Sequence, residues 1–99
     1  MVIEVAVFTV KDGHAELFAD AYAQARELLA SSPGCRSVRM TRGVENPDRF
    51  LLLVEWDTLE AHTEGFRGGE RFARWRALIG PHFDVADVQH VTDLDAARA

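Results

Sequence analysis

Phe50-Leu51-Leu52-Leu53-Val54-Glu55-Trp56 is the most apolar run of the chain, entered from the turn signal Asn46-Pro47-Asp48 and left at Asp57-Thr58. Seven residues between such breakers read as a strand. Successive side chains of a strand point to opposite faces, so Phe50, Leu52, Val54 and Trp56 share one face and Leu51 and Leu53 the other. A strand that is apolar on both faces belongs in the middle of a sheet.

The flanking segments supply its neighbours. Val2 to Val10 is β-branched and aromatic, with Glu4 its one charged residue, and stops at the turn Lys11-Asp12-Gly13. Ile3, Val5 and Val7 lie opposite Ala6, Phe8 and Val10, again apolar on both faces. Asp12 is placed to cap a helix in which Leu17, Phe18, Ala21, Tyr22, Ala25, Leu28 and Leu29 recur at steps of three and four. Ser31-Ser32-Pro33-Gly34 ends that helix. Cys35 to Gly43 alternates Val38 and Met40 against Ser37, Arg39 and Thr41, the pattern of an edge strand. After the central strand, Thr58 is set to cap a second helical region with Leu59, His62 and Phe66 on one face. Gly68-Gly69 breaks it, and helicity resumes through Phe72, Trp75, Leu78 and Ile79 as far as Gly80-Pro81. Asp84 to Thr92 forms a last strand, which makes residues 1–92 one domain and 93–99 a frayed tail.

The order β-α-β-β-α-β is the split βαβ of an α+β, ferredoxin-like fold: a four-stranded antiparallel sheet with both helices on one face. Those helices cover only half of the apolar sheet surface. A second copy packed on the other face would complete a dimeric α+β barrel, so the strand pattern predicts a homodimer.

Composition narrows the function. The 99 residues carry a net charge of −5 and no long run of one sign, which argues against nucleic acid as a partner. A single cysteine, Cys35, rules out an internal disulfide framework, and no metal-ligand spacing is present. No run approaches a membrane span and the N-terminus lacks signal-peptide features, so the expectation is a soluble cytoplasmic protein without a membrane partner.

Ser32-Pro33-Gly34-Cys35, the run from Phe50 through Trp56-Asp57-Thr58-Leu59-Glu60-Ala61-His62, and Phe72-Ala73-Arg74-Trp75 together resemble the antibiotic biosynthesis monooxygenase family over nearly the whole chain. The resemblance implies small dimeric α+β barrels. It also implies, from the family's best-understood oxygenases, oxidation of aromatic phenols to quinones by molecular oxygen with no metal, flavin or other cofactor. Their site lies between sheet and helices. The family's pocket tryptophan corresponds to Trp56 and an arginine of the second helical segment to Arg76, while a pocket tyrosine falls at His62 and a pocket asparagine at Leu52. A haem-degrading branch needs an asparagine on the first strand and an axial histidine near Trp75 or Arg76, and this chain has neither.

Each candidate carries a plainer alternative. His62 is either a base for a phenolic proton or a packed core histidine. His90, in phase with Val88, reaches the same cavity or lines the dimer edge. Arg76 steadies an anion, or belongs with Arg67, Arg71, Arg74, Glu64 and Glu70 to a salt-bridged helix face. Trp56, Phe66 and Trp75 wall a pocket or simply fill the core. Cys35 reads as a small buried hydrophobe, and His14 and His82 do not pair at a ligand spacing. The sequence therefore points to a cofactor-independent monooxygenase acting on an aromatic or polyphenolic small molecule. Its rival is a binding or structural dimer module without turnover, and a polar group beside His62 in the cavity is what separates the two.

Overall fold

In the computed structural model, which describes residues 1–96, the central segment pairs on both sides. β3 (Arg49–Trp56) runs antiparallel to β1 (Val2–Val10) in the register Val2↔Trp56 to Thr9↔Arg49, and antiparallel to β2 (Cys35–Arg42) on its other side. β4 (Phe83–Val91) completes the sheet in the order β2-β3-β1-β4. The apolar strands are thus the inner two, and the alternating strand β2 lies at an edge.

Helix α1 (Ala15–Ala30), a π-helical turn (Ala61–Phe66), helix α2 (Glu70–Ile79) and a 3-10 turn (Gly80–His82) provide the other layer. They bury the face that carries Glu4, Ala6, Phe8 and Val10 of β1 and Phe50, Leu52, Val54 and Trp56 of β3. Phe18, Ala21, Ala25 and Leu29 from α1 and Trp75 and Ile79 from α2 close onto it. Phe18 packs between Phe8 and Phe50 with ring centroids 5.3 and 4.8 Å away, the close tilted contacts that aromatic cores favour. On the opposite face Ile3, Val5, Val7, Leu51 and Leu53 remain partly exposed, flanked by the more exposed Val85 and Val91, and no helix among the described residues covers them.

Several local expectations are corrected. The residue preceding α1 is His14, which makes no side-chain cap, because Gly13 at φ +78° turns the chain one residue beyond Asp12. Leu17 and Leu59 are exposed at the edges of their helical faces. Gly34 is left-handed as expected, but in the turn into β2, three residues past the C-cap Ser31. At the C-terminus the Asp93 carboxylate accepts hydrogen bonds from the backbone N–H groups of Asp95 and Ala96, and the last three residues of the expected tail lie outside the described residues.

Candidate functional site

Between the sheet and the second helical layer lies a cavity of about 310 Å³. That volume is at the low end for small-molecule sites, enough for a compact ligand. Ala6, Phe8, Leu52 and Ile79 form its apolar base, Phe66, Phe72 and Trp75 its aromatic side, and Ala86 and Val88 of β4 its outer edge. Four polar side chains enter: Glu4, His62, Arg67 and Arg76.

Local structure explains how Glu4 and His62 meet. Glu4 occupies the same face of β1 as Ala6 and Phe8, so strand alternation sends it toward the helices. Its carboxyl is held by Trp56, whose Nε1–H donates to Oε1 at 3.0 Å. Thr58 Oγ1 accepts the Ala61 N–H at 3.1 Å, so the predicted Thr58 cap starts the turn, which then widens as the Arg67 N–H reaches back five residues to the His62 carbonyl at 2.9 Å. Such a widened turn brings residues four apart toward one azimuth, and both His62 and Phe66 point inward. The His62 ring stacks on Trp56 with centroids 5.2 Å apart and planes at 19°. Its Nε2 then lies 3.3 Å from Glu4 Oε1 and its Nδ1 2.7 Å from His90 Nε2.

Burial governs the charges. It pushes the Glu4 carboxyl above its ordinary range, against the opposing pull of the Trp56 hydrogen bond and the Arg67 charge. It pushes His62 down to about 4, helped by His90 and Arg67. The Glu4–His62 contact has salt-bridge distance but is not an ion pair near neutral pH, because His62 is then uncharged. An imidazole ordinarily holds a proton more tightly than a carboxyl by about two units, and burial reverses that order here by raising Glu4 and lowering His62. Cys35 shows the reverse of activation: burial raises its thiol, and the Glu4 charge raises it further.

His62, Leu52, Phe66, Trp75 and Arg76 all line the cavity. Trp56 does not: it is fully buried one layer behind, backing the His62 ring and holding Glu4. His90 reaches His62 rather than the cavity wall. Among the described residues Arg67, Arg71, Arg74 and Arg76 form no salt bridge with Glu64 or Glu70, so the salt-bridged helix face is not observed. Sequence reasoning missed Glu4 and Arg67 as cavity residues. For Glu4 a signal was present, since a lone charge in phase with Ala6, Phe8 and Val10 falls on the buried face. It also missed a contact between His14 and His82, whose Nδ1 atoms meet at 3.2 Å between the start of α1 and the turn before β4.

Comparison with known proteins agrees with this architecture. Residues 1–78 match the sequence model of the antibiotic biosynthesis monooxygenase family. The uncharacterized protein YczJ of Bacillus subtilis is 37% identical over 95 residues, which span 95% of this chain and 100% of YczJ. A Bordetella bronchiseptica protein assigned to the antibiotic biosynthesis monooxygenases superimposes with a TM-score of 0.90 at 34% identity, covering 94% of this chain and 96% of that one. SnoaB, a cofactor-independent oxygenase from Streptomyces nogalater, superimposes with a TM-score of 0.81 at 17% identity over 93% of this chain and 91% of its own, a likeness of fold.

Proposed function

The chain belongs to the antibiotic biosynthesis monooxygenase family, and on that footing we propose that it oxidises a small hydroxylated aromatic compound with molecular oxygen, drawing the electrons from the substrate rather than from a metal or flavin. The fold shared with the cofactor-independent oxygenase SnoaB supports this reading. The observation that carries it is the pairing of Glu4 with His62 on the wall of an otherwise apolar, aromatic-lined cavity. Keeping two ionisable groups buried beside an apolar cavity costs free energy, and sites that carry out acid–base chemistry are where such a cost is characteristically retained.

The roles follow from position. His62 alone is a weak base for a phenol, since a proton affinity near 4 leaves a gap of about six units from a phenol near 10, or roughly 8 kcal/mol. Glu4, whose proton affinity is raised, takes the hydroxyl proton first, and the two side chains act as one acid–base couple. Glu4 also supplies the polar group that Leu52 lacks: Leu52 pairs with Ala6, one pleat along the same face. Arg76, with Arg67, stabilises the resulting anion. The electron-rich ring carbon then forms a C–O bond to oxygen. The couple returns the proton to give a hydroperoxide, and loss of the C–H proton with O–O cleavage releases water and leaves a carbonyl. Phe66, Phe72 and Trp75 hold the ring and exclude water.

The exposed apolar face of the sheet supports assembly as a homodimer, as in the dimeric barrels the family resemblance implies. One unactivated thiol, Cys35, suits a reducing cytoplasm. No helix among the described residues is long and apolar enough to cross a membrane.

The test is oxygen uptake by metal-stripped protein against a panel of hydroxylated anthrones and naphthols. Uptake without added cofactor, lowered about 10²- to 10⁴-fold in Glu4→Gln and in His62→Ala, is the expected result. Uptake unchanged in both folded variants would remove the couple from the mechanism.

A further inference from the structure

Both ring nitrogens of His62 face another ionisable side chain, Glu4 Oε1 at 3.3 Å from Nε2 and His90 Nε2 at 2.7 Å from Nδ1. The arrangement is a product of the sheet. Glu4 and His90 are register partners on β1 and β4, so they project side by side on the helix-facing surface, and the π-helical turn lowers the imidazole onto both. Glu4 and His62 are both buried on the cavity wall, whereas His90 is half-buried on an edge strand and does not line the cavity. Three groups able to carry a proton therefore run in series from the cavity to the margin of the sheet.

We propose that Glu4, His62 and His90 form a proton relay in which His62 passes the proton and His90 holds it while oxygen reacts. The inference rests on the reading of the cavity as an acid–base site. In the forward step the proton that Glu4 took from the ligand moves to His62 Nε2 as the Nδ1 proton of His62 moves to His90 Nε2. His62 begins and ends neutral with its tautomer exchanged, His90 becomes an imidazolium, and no electron moves. The reverse step delivers the proton back to the reduced oxygen, so the relay is a reversible store.

The environment of His62 suits a conduit. Glu4 approaches from β1, His90 from β4 and the Arg67 charge from the end of its own turn, while α2 brings Arg76 to the same cavity. From β3 it meets Trp56, which does not titrate and whose stacked ring keeps the imidazole plane fixed. Pushed down to about 4, His62 cannot retain a proton at neutral pH, but with hydrogen-bonding partners at both nitrogens it can transmit one.

The deciding experiment needs no substrate. Nitrogen-15 NMR of the histidine rings in the free protein reads the tautomer of His62 as the pH is raised from about 5 to about 8, the range in which an imidazole ordinarily loses its charge. The relay predicts that the proton of His62 shifts from Nε2 to Nδ1, an interchange of its two ring-nitrogen signals, and that this interchange is lost in His90→Gln, whose amide can hydrogen-bond but cannot carry a proton. A single tautomer throughout in the wild-type protein would overturn the relay. An interchange that persists in folded His90→Gln would remove His90 from it. A panel without oxygen uptake would count against the oxidation, whereas the relay stands or falls on the tautomer.

Discussion

At the scale of single residues, the acid–base character of the cavity is set by what burial does to Glu4 and His62. The two shifts have opposite consequences for stability. His62 is lowered from 6.5 to about 4, so between those values the unfolded chain binds a proton that the fold refuses, and stability falls as the pH drops through that window. The full penalty is up to about 3 kcal/mol. Glu4 is raised, so its contribution is present below the ordinary carboxylate range and is lost as the pH rises through its folded value. Urea unfolding from pH 7 to pH 4 is therefore expected to show a shallower acid loss in His62→Gln than in the wild type, and parallel curves would show that His62 is not desolvated. Trp56→Phe removes the donor that holds Glu4 Oε1. It is expected to raise the Glu4 carboxyl further and to cost about 1–3 kcal/mol, read as a lower Tm.

At the scale of elements, the turn that carries His62 is shaped by a glycine far away in sequence. Gly34 has φ +86°, and a Cβ placed there would sit 2.7 Å from the Ala61 Cβ at the start of the π-helical turn. Gly13 has φ +78° with nothing within 4 Å of such an atom. Gly13→Ala thus meets backbone strain alone, about 1–2 kcal/mol, while Gly34→Ala meets strain and collision. Thermal unfolding is expected to show the larger loss at Gly34, and only Gly34→Ala should shift the His62 ring signals. Equal losses with unmoved signals would detach the Pro33-Gly34 turn from the site.

The elements were largely legible in the sequence because they follow from alternation. Phe50 to Trp56 gave its own face assignment, Val2 to Val10 followed it, and Thr58 was readable as a cap. What escaped depends on winding or on long-range contact. A periodicity of three and four put Leu59 on the inner face with His62 and Phe66, but Leu59 lies ahead of the widened turn that carries those two inward and is exposed. The placement of His90 was read from its phase with Val88, yet its partner is a residue of the opposite layer that no strand pattern identifies. His14 and His82, 68 positions apart, meet only because α1 and the 3-10 turn end at the same corner of the sheet. Glu4 is legible from its phase with Ala6, Phe8 and Val10, although a charged residue in a strand is ordinarily solvated.

At the scale of the whole molecule, one layer of helices leaves half of the sheet to be covered. Ile3, Val5, Val7, Leu51 and Leu53 form a contiguous apolar stripe on two adjacent inner strands. Light scattering is expected to give twice the chain mass of 11.1 kDa, and Leu53→Asp is expected to give the single mass with the cavity intact. A wild-type monomer would contradict that assembly. The oxidation proposed for the cavity rests on a single chemical claim, that the substrate supplies the electrons. Its most direct test is turnover of an accepted substrate by metal-stripped protein under oxygen-18 gas, with product and water analysed by mass. The account predicts that each substrate consumes one oxygen molecule, with one labelled atom in the new carbonyl and the other in water, and no dependence on added metal or flavin. An unlabelled product, or labelling that appears only when a cofactor is added, would contradict it.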